Sequence, residues 1–179
     1  MYRDRSLVPT EAVRLAALGG LMEGPRGYGD LGQEIRFFTA RVVGPSLDLL
    51  GSSLELLLIE GLAETVSGAE GSDEREIAVT DAGRRAFHLL MGALLRAPLN
   101  DVSRLVLLLK LRFLPLLDAE AQEDQLDMIA DLVRTERARL DELAAEYAGR
   151  PMAEWAAFDI DLADKRLAWL EARMDALEL

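Results

Sequence analysis

Apolar residues recur at helical spacing through most of the chain, interrupted by Gly/Pro punctuation. Val13, Leu15, Ala17, Leu18, Leu21 and Met22 form a first stripe. Thr10 is placed to cap this helix, and Glu11 sits near the positive end of its dipole. Gly24-Pro25-Arg26-Gly27 ends it. Leu31, Ile35 and Phe38 then predict a short helix over about 28–38. Gly44-Pro45-Ser46 is the next stop, and Leu47, Leu50, Leu54, Leu57 and Leu58 predict a third helix over 46–60 with Gly61 as its C-cap.

The period then changes. Residues 63–66 and 77–79 read as two short strands around a loop-like stretch, 68–73. Two strands this short are not stable alone and must lie against helices. Thr80, with Asp81 in the first turn, caps a helix running to about 95. Three helices joined by tight turns, then a two-stranded wing, then a capped helix, describe a winged helix-turn-helix.

Past Ala97-Pro98, Asn100-Asp101 opens an apolar helix to about 117, which Pro115 bends or ends. A long helix over 119–147 carries Leu126, Val133, Leu140 and Tyr147 seven residues apart, widened by Met128, Ile129 and Leu143 and interrupted by Glu136. Gly149-Arg150-Pro151 breaks the chain. A last helix, about 160–177, places Ala163, Leu167, Leu170, Met174 and Leu177 at spacings of four and three. The expected fold is mainly α with a small two-stranded β wing, divided into a winged helix-turn-helix domain over 1–97 and a helical dimerisation domain over 98–179. Heptad spacing makes Leu126, Ile129, Val133, Leu140, Leu167, Leu170 and Met174 the expected dimerisation residues. Packing within one chain is the other use of the same pattern.

Composition narrows the function. The chain has 179 residues, half of them hydrophobic, so it can bury a core. It has no cysteine, which excludes disulfides and thiolate metal sites. The N-terminus leads into a capped helix without an apolar signal core. The most apolar stretch, 105–117, holds Lys110, Arg112 and Pro115 and is shorter than the roughly 20 residues a membrane span needs. A soluble, cytoplasmic protein without membrane contact is expected. The net charge is −12, with 10 basic and 14 acidic residues up to Ala97 and 10 and 18 beyond it. Such a chain is repelled by phosphates unless a local basic patch overrides the global field.

Three stretches resemble the PadR family of bacterial transcription regulators. They are Leu18-Gly19-Gly20-Leu21-Met22-Glu23-Gly24-Pro25-Arg26-Gly27-Tyr28, then Glu60-Gly61-Leu62, then Thr80-Asp81-Ala82-Gly83-Arg84-Arg85. The motifs cover about 10–95, and the remaining helices are similar to the family's dimerisation region in layout. The resemblance implies a homodimer that binds double-stranded operator DNA through two winged helices and represses transcription. It also implies a small-molecule effector; Trp155, Phe158 and Trp169, close together in the sequence, are the candidate pocket, with packing of the last helix as the other use of the same aromatics.

The chain departs from the family on its third helix. The family's tyrosine position falls on Gly51, which costs about 1 kcal/mol relative to alanine in mid-helix, and its basic positions fall near Glu55 and Leu56. From Pro45 to Glu60 there is no Lys or Arg, whereas Asp48, Glu55 and Glu60 are acidic. The candidate DNA contacts are therefore Arg26, Arg36, Arg41, Arg75, Arg84 and Arg85 for phosphates, with Ser46, Ser52, Ser53 or an acid accepting from a cytosine amine for bases. The alternative is a winged helix that has lost DNA binding and uses Leu49, Leu56 and Ile59 to engage a protein partner.

Other signals are weaker. Gly27-Tyr28-Gly29-Asp30-Leu31-Gly32 matches a dinucleotide fingerprint but lacks the strand–helix–strand setting that such a site needs. His88 is the only histidine, and no serine has a nucleophile motif around it. Glu123-Asp124 and Asp159-x-Asp161 read as cap and surface charges. No cofactor, no metal and no enzymatic activity are expected.

Overall fold

The computed structural model describes residues 6–44 and 50–177 and, in the third helix, side chains from Leu54 onward. The element order is α1 (Pro9–Met22), β1 (Arg26–Gly27), α2 (Tyr28–Val42), α3 (Leu50–Ile59), β2 (Ala63–Ser67), β3 (Glu76–Val79), α4 (Asp81–Met91), α5 (Asp101–Phe113), α6 (Ala119–Glu146) and α7 (Pro151–Asp175). A winged helix-turn-helix is followed by a long helical hairpin. By contact density the chain forms two units, one of residues 1–94 and 99–116, the other of residues 95–98 and 117–179.

α1 is the centre of the first unit. Every residue from Leu15 to Leu21 is buried, and the helix packs against α2, α3, α4, α5 and β3. Its cap differs from expectation. Pro9 occupies the first helical turn, where its missing N–H costs nothing, so Val8 becomes the N-cap and Thr10 falls inside the helix. The Glu11 carboxylate then reaches back to accept from the Val8 amide at 2.9 Å. Gly19 faces the Phe113 ring so closely that a Cβ there would overlap it. Leu105, Val106, Leu109 and Phe113 are all buried, which is why α5 packs with the winged helix although it follows Pro98.

The sheet has three strands, one more than the sequence reading gave. Arg26–Gly27, taken as a turn, pairs antiparallel with β3, giving the order β1-β3-β2. Ala63 stands opposite Val79 and Thr65 opposite Ile77, with an irregularity between Thr65 and Ser67.

Two of the short motifs interlock. α3 ends in a Schellman turn, with Gly61 at φ +69° and the Leu62 amide donating to the Leu57 carbonyl at 2.8 Å. The Thr80 hydroxyl donates to the Gly61 carbonyl at 2.7 Å and accepts from the Gly83 amide at 3.1 Å. Gly83 lies directly on the Leu62 carbonyl, where a Cβ would clash. The end of the third helix and the start of the fourth thus fix each other.

In the second unit α6 and α7 pack along their length. α7 starts nine residues earlier than expected. Gly149, at φ +77°, turns the chain, and Pro151 occupies the first turn of a new helix.

Candidate nucleic-acid interface

The wing, α2 and α3 share a polar cluster that alters the charge of the third helix. Glu55 Oε2 accepts from Arg75 Nη2 at 2.6 Å and from the Tyr28 hydroxyl at 3.4 Å. The Arg75 guanidinium lies over the Tyr28 ring, 4.1 Å from its centroid. Arg75 is 4% exposed, and its Nε has no partner among the described residues. Burial, followed by the charge of Glu55, pushes the Tyr28 pKa upward, with Arg75 opposing. At the other end of α3, Glu60 Oε1 accepts from Arg14 Nη2 at 2.8 Å. Glu55 on α3 and Glu60 just past its end are therefore both ion-paired. Asp48 lies outside the described residues.

The six candidate arginines fall into two groups. Arg75 is committed to Glu55 and Tyr28. Arg26 is committed to Glu34 at 2.5 Å, with Glu23 3.8 Å away. Arg112, which the sequence reading did not single out, pairs with Glu34 as well. Burial would raise the Glu34 carboxyl, but hydrogen bonds and charge from Arg112 and Arg26 outweigh it and hold its pKa low. In contrast, Arg36, Arg41, Arg84 and Arg85 are all exposed. Arg36 lies beside Gly32, where Leu54 of α3 also packs. Arg41 stacks over exposed Phe37 at 4.4 Å. Arg84 Nη1 approaches Met22 Sδ at 3.8 Å. No ion pair holds any of these four among the described residues. Ser46 lies outside the described residues, as do the side chains of Ser52 and Ser53.

Among the described side chains of α3, Leu56 and Ile59 are also exposed, at 42% and 73%. Lys110, noted in the sequence only as a charge within the apolar stretch, is fully buried on α5. Its Nζ donates to the Met91 carbonyl at the end of α4, and burial lowers its pKa to about 8. His88 is exposed on α4, edge-on to Phe87. No helix among the described residues is long and apolar enough to cross a membrane.

In the hairpin, Leu126, Ile129, Val133 and Leu170 are buried within the single chain, and Leu140, Leu167 and Met174 are half-buried. The pocket candidates have the opposite character. Trp155, Phe158 and Trp169 are 70%, 72% and 54% exposed on α7. None of them lines the shallow depression formed by Leu95, Arg96, Ala97, Met128, Asp131, Leu132 and Thr135. Trp155, Leu162 and Trp169 repeat every seven residues, each one position before the buried Ala156, Ala163 and Leu170. α7 thus carries two heptad sets, Ala156, Ala163 and Leu170 buried, and Trp155, Leu162 and Trp169 left open.

The family model described as "Putative AphA-like transcriptional regulator" matches residues 2–174. No curated protein matches the chain. Three similar solved structures share little sequence with it. Bacillus subtilis PadR in complex with operator DNA is 15% identical, with 92% of this chain and 98% of that one covered, at a TM-score of 0.40. Bacillus subtilis PadR alone is 14% identical, covering 97% and 99%, at 0.42. A PadR-like transcriptional regulator from Bacillus cereus is 17% identical, covering 93% and 98%, at 0.38.

Proposed function

The chain belongs to the AphA-like family of transcriptional regulators, and on that premise we propose that it binds operator DNA as a homodimer and represses transcription. α3 would enter the major groove, and the flanking elements would hold phosphates. The observation that carries this reading is the contrast among charges around α3. Glu55 and Glu60 are ion-paired, whereas Arg36, Arg41, Arg84 and Arg85 are exposed and unpaired among the described residues. Arg36 and Arg41 come from α2. Arg84 and Arg85 come from the first turns of α4, whose start is tied to the end of α3 through Thr80 and Gly61. A net-negative protein can bind a polyanion in this way, because local cations displace counterions while the local acids are neutralised. Mobility-shift assays with duplex from the protein's own promoter region test it. Salt-sensitive retardation is expected; no retardation even at low salt, where electrostatics are strongest, overturns it.

The second copy would dock on the open heptad face of α7. Trp155, Leu162 and Trp169, with Met152 and Phe158 beside them, form an exposed apolar stripe that suits a helical interface, where aromatics concentrate. This moves the dimer contact from the residues expected by spacing alone to those first considered for a ligand pocket.

Exposed Leu56 and Ile59 favour a second reading, in which α3 meets an apolar surface on a protein partner. Such binding would change little with salt, which separates it from operator binding.

A further inference from the structure

We propose that Glu55 reads sequence, its carboxylate accepting a hydrogen bond from the N4 amine of a cytosine in the major groove. This rests on the operator-binding reading above. An acid facing DNA is ordinarily repelled by phosphate, and a flexible one has no fixed direction. Glu55 escapes both penalties. Oε2 is held by Arg75 Nη2 at 2.6 Å and by the Tyr28 hydroxyl at 3.4 Å, from the residue before β3 and the first residue of α2. The pairing supplies a compensating positive charge. It also leaves Oε1 without a partner among the described residues, on a side chain that is still 49% exposed.

The chemistry then selects the base. A carboxylate only accepts hydrogen bonds. Guanine presents acceptors at N7 and O6 in the major groove and thymine presents O4, so neither gains. The N4 amine of cytosine is a donor that matches a single acceptor, whereas adenine favours the paired donor and acceptor of an amide. Arg75 is too buried to touch phosphate and acts as a positioning residue. Its unpartnered Nε marks a side chain placed for Glu55 at some cost to its own hydrogen bonding.

The test is selection from a random duplex pool with the full-length protein and with Glu55→Gln at matched salt. The wild-type consensus should hold a C·G pair in each half-site at which Glu55→Gln loses its preference or turns to A·T. Discrimination there should fall at least about fivefold, the size of one lost base contact. A measurement on the unaltered protein covers the case in which the variant misfolds. N4-methylcytosine at that position keeps base pairing but fills the site of the contact, and it should weaken wild-type binding at least about fivefold. Identical consensus sequences for both proteins, or indifference to N4-methylation at every conserved cytosine, overturn the proposal while leaving operator binding intact. No enriched sequence with either protein overturns both.

Discussion

Arg75 Nη2 and Glu55 Oε2 lie 2.6 Å apart, joining the residue before β3 to the third helix across 20 residues of sequence. Removing either partner has unequal consequences. Glu55→Ala leaves a buried guanidinium without its counter-charge, whereas Arg75→Met removes the charge that needs one. Because Glu55 is half exposed, solvent screens the pair, and a double-mutant cycle by urea denaturation should give a coupling of about 1 kcal/mol. Strictly additive effects would show that the pair contributes no coupling energy.

Acid should weaken the α1–α2–α5 cluster through Glu34. Its carboxyl is held below the ordinary range in the folded chain by Arg112 and Arg26. A depressed carboxyl pKa contributes stability that is fully present above the unfolded value and is lost as pH falls through the folded one. Glu34→Gln should cost about 1–2 kcal/mol near neutrality, and the gap to wild type should close as pH drops below about 4. A gap independent of pH would place the loss in shape, not charge.

Alkali should act in the other direction through Lys110. Its pKa falls from 10.5 to about 8 on burial, so between these values the unfolded chain holds more protons than the folded one, and stability rises with pH. Below about 8 the full cost of burying the charge is present. The rise expected across the window is on the order of 3 kcal/mol. It should vanish in Lys110→Met, which loses the contact with the Met91 carbonyl but carries no charge. Urea midpoints at pH 7.5, 8.5 and 9.5, chosen to stay below the Tyr28 titration, would check it; parallel curves for the two proteins would refute it.

The open face of α7 makes a prediction about assembly. Trp155→Glu with Trp169→Glu should yield a monomer in sedimentation equilibrium while the helical content stays close to wild type, since both side chains face solvent in the single chain. Leu170→Ala, at a buried position, should instead lower folding stability by about 2–4 kcal/mol. A double variant that remains dimeric would move the interface elsewhere.

Much of this arrangement is legible in the chain before any coordinates. The Gly61 and Thr80 signals are local, because the Leu62–Leu57 and Gly83–Thr80 cap bonds close within a few residues, and helix ends at Gly24, Gly61 and Pro151 follow from backbone constraints. What is not legible depends on long-range pairing. Arg26–Gly27 becomes a strand only because β3 lies beside it. Arg75 looks like a wing cation until Glu55 is brought to it. The heptads of α6 and α7 give the period but not the direction of each face, since Trp155 and Ala156 differ by one position and point to opposite fates. Starting α7 at 160 also hid that Trp155 and Phe158 share a helix with Trp169.

The account stands most directly on one titration, the affinity for operator-region duplex against salt concentration. If Arg36, Arg41, Arg84 and Arg85 of two protomers each neutralise a phosphate, log K should fall against log salt with a slope approaching about −7, and Arg84→Ala with Arg85→Ala should make it shallower by about 3 to 4. A slope near zero, or one that the arginine variants leave unchanged, would contradict the account and move the function of α3 to a protein partner.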